Sequence, residues 1–242
     1  MLKSYGASRI GLIRKTNEDC VYAADGPLYV LADGMGGYKG GKIASRAAVD
    51  AVVRRLRAPD ANPISEQLLQ EAVMDANQAV LEKKTDDTLS LMGTTLIVAF
   101  ISENRLYWAH VGDSRLYLYH DSALRQITED HSFVMRLLSE GKITKEEMKN
   151  HPRKNEITRA VGIHHALQID TGIIDMAPTD EILVCSDGLS GMIDDDSISR
   201  ILAEYGNTPQ KCVETLLDRV YDAGAHDNVS AIVIRYESED KI

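Results

Sequence analysis

The chain has 242 residues, enough to bury the core of one large domain, and its hydrophobic fraction of 44% excludes a disordered or collagen-like chain. Lys and Arg number 27 against 37 Asp and Glu. The resulting net charge of −10 excludes nucleic acid or an anionic membrane as a partner held by overall charge.

The N-terminal MLKSYGASRIG lacks the apolar centre of a signal peptide. Strand-like segments rich in β-branched and aromatic residues follow at 28–32, 94–101, 106–110, 114–119, 181–185 and 229–236. The apolar run near 96–101 is far shorter than the ~20 residues that span a bilayer. Asp25-Gly26 reads as an ordinary turn. Short links at 102–105 and at Gly112-Asp113 predict an antiparallel meander over 94–119, because a parallel crossover needs a dozen residues or more.

Helices are expected between these strands. Over 43–56, Ile43, Ala47, Ala51 and Ala44, Ala48, Val52 form adjacent rows of one apolar face. Asn62-Pro63 predicts an N-cap and first helical residue for a helix through Leu68, Val73, Ala76 and Val80. Thr208-Pro209 repeats that pattern, and Gly224 closes the helix carrying Val213, Leu216, Leu217 and Val220. Cys20, Cys185 and Cys212 form no CxxC pair, which argues for a reducing, cytoplasmic setting without disulfides or structural zinc. No linker or repeat divides the chain. One α+β domain built in layers is predicted, not a doubly wound parallel sheet.

Four Asp residues share one context at the end of an apolar strand: Asp33, Asp113, Asp187 and Asp227. Glu18-Asp19 precedes another apolar stretch. Carboxylates held there by rigid strands can converge into an oxygen cage suited to Mg²⁺ or Mn²⁺. The run Gly36 to Ile43 nearly matches a phosphate-binding loop, but Ile43 stands where a Ser or Thr hydroxyl is required. Hairpin-linked strands also contradict the parallel context of that loop.

Five motifs then fall in order: RKTNED at 14–19, ADGMGG at 32–37, VGDSR at 111–115, SDGL at 186–189 and DNVS at 227–230. Together they resemble metal-dependent protein phosphatases of type 2C, in their bacterial branch, over essentially the whole chain. The resemblance implies a four-layer α/β/β/α sandwich with two central antiparallel sheets flanked by helices. It implies serine/threonine phosphatase activity through a hydroxide shared by two Mn²⁺ or Mg²⁺ ions. By motif position Asp33 would bridge the ions, Glu18 and the Gly34 carbonyl would serve one, and Asp187 and Asp227 the other. Asp19 would orient water behind these ligands, and Asp113 with Asp187 would hold a third, weaker ion. Arg14 would take the substrate phosphate.

Where many relatives carry His after Asp-Gly, this chain has Met35, so the leaving-group proton must come from metal-bound water or another residue. His110, His131 and His226 lie nearby in sequence and are read as structural. Cys185 is read as core packing. The segment 131–160 carries seven Lys and Arg against four Glu. The resemblance implies that it is a flap beside the active site; a basic flap would favour phosphorylated or acidic substrates, and a solvated charged helix is the alternative reading. The expected partners are phosphorylated proteins, a cognate serine/threonine kinase and its substrates, with the chain itself a monomer. An enzyme narrowed to one regulator and a non-catalytic metal-binding scaffold stand as alternatives.

Overall fold

The computed structural model describes residues 1–24, 26–37, 39–58, 63–85 and 87–237. Two five-stranded antiparallel sheets lie face to face. One has the order β1 (Leu2–Arg9), β12 (Val229–Tyr236), β11 (Glu181–Cys185), β8 (Arg115–His120), β9 (Ala123–Gln126). The other runs β10 (Asp170–Asp175), β7 (Arg105–Val111), β6 (Leu96–Ser102), β3 (Leu28–Ala32), β2 (Cys20–Tyr22). A short ribbon pairs β4 (Gly34–Met35) with β5 (Gly93–Thr94).

Alternation along the strands builds the layers, since successive side chains point to opposite faces. In β3, Tyr29 and Leu31 enter the inter-sheet core with Ile97, Ala99, Ile182, Val184, Ile232 and Ile234. Leu28, Val30 and Ala32 face outward, under α1 (Gly40–Leu56) and α2 (Glu66–Glu82). In the other sheet Leu183, Cys185, Ala231 and Val233 lie under α6 (Asp195–Tyr205) and α7 (Pro209–Asp222). A one-residue slip would turn either pattern inside out, so register is firmly set. The order is therefore α/β/β/α. Two small helices, α3 (Phe133–Ser139) and α4 (Lys145–Lys149), stand within 131–160, and α5 (Asp187–Ser190) follows β11.

The six expected strands are all inner strands, and β1, β2, β9 and β10, which were not expected, are the four edges. The meander is corrected. Residues 102–105 do join β6 to β7 as a hairpin, but β8 pairs with β11 and β9 in the opposite sheet. Stacked sheets lie ~10 Å apart, and three extended residues at ~3.3–3.6 Å each bridge that gap. Gly112, Asp113 and Ser114 therefore carry the chain from one sheet to the other, with Gly112 at φ +116°.

The start expected at Pro63 for α2 is also corrected. Ser65 is the N-cap, its hydroxyl accepting from Leu68 N–H at 3.1 Å, and Asn62 lies outside the described residues, as does Asp25. α1 begins three residues before the predicted 43, at Gly40. Thr208, Pro209 and Gly224 sit at the ends of α7 as expected. Among the described residues no helix is long and apolar enough to cross a membrane.

Candidate metal centre

One end of the sandwich collects the strand-end carboxylates. Asp33 leaves β3, Asp113 lies in the crossover after β7, Asp187 opens α5 after β11, and Asp227 precedes β12. Glu18 and Asp19 precede β2. All six are half-buried, sunk in the surface but open on one side.

Their mutual influence establishes convergence. Burial first, then the charges of Asp19, Asp187 and Asp113, push the Asp33 carboxyl well above the usual range, and Asp33 and Asp187 are close enough to share a proton. Burial and Asp187 raise Asp113 to about 8. Burial raises Asp19 to about 6, against the stabilising Ser230 hydroxyl, which donates to Asp19 Oδ2 at 2.6 Å. Burial also raises Glu18.

The backbone around these groups is tightly fixed. Asp33 N–H donates to Thr95 Oγ1 at 2.9 Å, and the Asp33 carbonyl accepts from Thr95 N–H and the Thr94 hydroxyl. Thr95 Oγ1 also meets the buried Ser114 hydroxyl at 2.8 Å, tying Asp33 to the Asp113 crossover. Ser45 donates to the Glu18 carbonyl at 2.6 Å. A Cβ on Gly41 would stand 2.7 Å from Glu18 Oε2 and 2.8 Å from the Gly34 carbonyl oxygen, so these two oxygens converge over α1's first turn. A Cβ on Gly188 would fall 1.8 Å from the Asn228 carbonyl oxygen, which keeps the Asp187 and Asp227 segments in contact.

Arg14 Nη2 donates to Asp227 Oδ2, and this bond is the main cause holding the guanidinium's pKa up, helped by the charges of Asp227, Asp187 and Asp33. Its side chain is half exposed. Arg115 is committed elsewhere: with Asp130 it forms a largely buried ion pair of 2.7 Å.

The donor set fits hard divalent cations. It is oxygen-only, its carboxylates are crowded beyond what one arginine balances, and Asp19 Oδ1 is buried with no partner among the described residues. Residues 15–220 match the family model for protein phosphatase 2C. The chain belongs to the protein phosphatase 2C family.

The serine/threonine phosphatase stp of Listeria monocytogenes serotype 4b (strain F2365) is 34% identical over 239 residues, covering 96% of this chain and 94% of that protein. The Mycobacterium tuberculosis serine/threonine phosphatase PstP/Ppp superposes with a TM-score of 0.91 at 35% identity, covering 98% of this chain and 99% of that one. The catalytic domain of PstP in complex with two manganese ions gives 0.89 at 34% identity, with the same coverage. Family membership makes this chain a metal-dependent serine/threonine protein phosphatase served by Mn²⁺ or Mg²⁺.

The phosphatase places the remaining expected residues variously. Met35 lies with its terminal methyl toward Gly93. Cys185 is fully buried and its thiol is pushed up to about 12, which leaves no thiolate at neutral pH. His226 is exposed beside Asp227. His110 is buried, drops to about 3 through burial, and stacks against His131 at 4.6 Å. His110, His131 and Asp170 offer ligand atoms within 4.8 Å of one another. However, both ring nitrogens of His131 are already engaged: Nδ1 accepts from Gly112 N–H, and Nε2 meets Asp170 Oδ2 at 3.0 Å and Arg159 Nη1 at 3.1 Å. The guanidinium beside Nε2 opposes a cation there.

One supporting residue, Thr95, escaped the sequence reading, as did the specific contacts of two that it named, Ser230 to Asp19 and His131 to Gly112. A polar Thr94-Thr95 pair heading an apolar strand was the available signal for the first.

Proposed function

We propose that Asp33, Glu18, the Gly34 carbonyl, Asp187 and Asp227 would hold two divalent cations, with Asp33 shared between them, Glu18 and Gly34 serving one and Asp187 and Asp227 the other. Asp113, together with Asp187, would contribute to a third ion, and Asp19 would orient water from behind. Arg14 receives the substrate phosphate. The observation that carries this reading is Asp33, a carboxylate pushed well above its ordinary range by burial first and then by the neighbouring charges of Asp19, Asp187 and Asp113.

When bound, the ions supply a nucleophile near neutral pH by lowering the pKa of water, and they offset charge on the phosphoryl oxygens. The chain does the positioning. Arg14, aimed by Asp227, presents a planar fork to two phosphoryl oxygens. Thr95 fixes the backbone of Asp33, Ser45 that of Glu18, and Ser230 turns one oxygen of Asp19. Such pre-set groups need little reorganisation during reaction.

In this reading the chain is one phosphatase domain with 131–160 as its flap. It acts as a monomer in the cytoplasm on phosphorylated proteins, opposing a serine/threonine kinase. Three free, buried cysteines support the reducing compartment.

The deciding experiment is phosphate release from a phosphothreonine peptide with Mn²⁺, with Mg²⁺ and with chelator, beside Asp187→Asn. Mn²⁺-dependent release lost in the variant is the expected result. No release under any metal, from folded protein that binds Mn²⁺, would favour the scaffold or single-regulator alternative.

A further inference from the structure

The turn that delivers Arg14 has an unusual tip. Arg14 N–H donates to the Gly11 carbonyl at 3.1 Å, closing a β-turn with Leu12 and Ile13 at its centre. Exposed turn centres ordinarily go to Gly, Pro, Asn, Asp or Ser, which satisfy the backbone at little cost. Here Leu12 is 62% exposed and Ile13 71%, with Ile10 at 40% just before them. Three of the seven exposed large apolar side chains among the described residues thus fall within four positions. Single exposed apolar residues need no explanation, but a cluster on one tip does.

The fold makes no use of these side chains, since none belongs to any of its three apolar clusters. Nor is the turn loose. Leu12 N–H donates to the Ala225 carbonyl at 2.8 Å, Gly11 N–H to Asn228 Oδ1 at 3.3 Å, and the Tyr221 hydroxyl to the Ile10 carbonyl. A Cβ on Gly11 would lie 2.2 Å from the Asp227 carbonyl oxygen. The apolar tip is therefore fixed to the segment that carries Asp227, and the next residue is Arg14.

We infer that the Leu12–Ile13 tip is a contact surface for the protein substrate, taking apolar side chains that flank the phosphorylated residue. The inference rests on the reading of Arg14 as the phosphate residue. With phosphate on Arg14, a substrate chain advancing ~3.3–3.6 Å per residue carries its next few side chains across a tip only one and two positions from that arginine. A second copy of this chain is the weaker occupant. Three side chains fall far short of the roughly 20–30 residues per side of a stable interface, whereas a tethered peptide needs only one or two contacts.

The test compares two phosphothreonine peptides, one flanked by Leu and Val and one by Ser and Gly, on the Mn²⁺-loaded wild type and on Leu12→Ser/Ile13→Ser. The expected result is a KM at least tenfold lower for the apolar peptide on the wild type, with that advantage abolished in the double variant. Turnover of p-nitrophenyl phosphate and Mn²⁺ affinity by calorimetry should stay unchanged. Equal KM values for both peptides on the wild type, or an advantage that survives the substitutions, overturns the inference. So does a concentration-dependent dimer, seen by sedimentation, that the double variant dissolves. Failure of the wild type to cleave either peptide, despite bound Mn²⁺, would instead strike the phosphatase reading of the site.

Discussion

Gly112 and His131 hold each other by two hydrogen bonds: His131 N–H donates to the Gly112 carbonyl at 2.7 Å, and Gly112 N–H donates to His131 Nδ1 at 3.1 Å. The pair fixes the residue before Asp113 and also roots the 131–160 segment, because Thr158 N–H donates to the His131 carbonyl at 2.7 Å. Asn can place its Oδ1 near the position of the lost Nδ1; Leu cannot. His131→Leu should cost about 1–3 kcal/mol, the penalty for a buried N–H left unpaired. It should also raise the Mn²⁺ needed for half-maximal activity, while activity at saturating metal stays within a hundredfold. His131→Asn should recover most of both losses. Thermal melts and Mn²⁺ titrations of the two variants check this.

Replacing Arg14 with Lys keeps the charge and removes the fork. A charge-assisted hydrogen bond is worth roughly 1.5–3 kcal/mol, so kcat/KM on a phosphopeptide should fall about 10- to 100-fold. Mn²⁺ affinity measured by calorimetry should hold, because the lysine still stands beside Asp227. Wild-type kinetics in Arg14→Lys would remove this residue from the phosphate.

The crowded carboxylates predict an inverted pH response for metal-free protein. Asp19, Asp113 and Asp33 bind protons more tightly folded than unfolded. Their contribution to stability is complete below the ordinary carboxylate range and is lost as pH rises through the folded values, from about 6 for Asp19 to about 8 for Asp113. In EDTA the melting temperature should therefore be lower at pH 8 than at pH 6. Saturating Mn²⁺ should reverse the trend, since the ion replaces the protons. Melting curves with the same slope in both conditions would contradict the proposed ligand set.

Four of the ten strands of the two sheets were hidden in the sequence for one reason. β1, β2, β9 and β10 are edges, paired on one side and mostly half-buried, so selection for alternation is weak there. Inner strands such as 181–185, buried at every position, announce themselves. The candidate site was legible because Asp33, Asp113 and Asp187 each follow such a strand beside glycine, while Asp227 stands just before one. Its supports were not, since Thr95 and His131 act through contacts between segments far apart in the chain. The meander failed because a short link measures distance, not direction: ~10 Å joins neighbours in one sheet or facing strands of two.

The basic stretch at 131–160 needs dividing. Arg153 bonds Glu156 through Nε at 2.7 Å and stacks on Phe133 at 3.6 Å, which makes it part of the segment's own packing. Lys149 and Lys154 form no ion pair among the described residues. Lys149→Ala/Lys154→Ala should weaken phosphopeptide turnover several-fold and spare p-nitrophenyl phosphate. Arg153→Ala should instead lower thermal stability. Equal losses on both substrates in the lysine variant would identify a merely solvated face.

The carboxylates come from opposite leaves of the sandwich: Asp33 from the leaf of β3, Asp187 and Asp227 from the leaf of β11 and β12. The gap between the leaves is filled by Ile97, Ile182, Val184 and Ile232, which pack together in the inter-sheet core. Those side chains act as the spacer of a calliper whose jaws are acidic. Shaving a methyl from Ile182 or Val184 should shift the jaw opening, whereas shaving one from Val213, on the inner face of the outer helix α7, should leave it alone even at the same loss of stability.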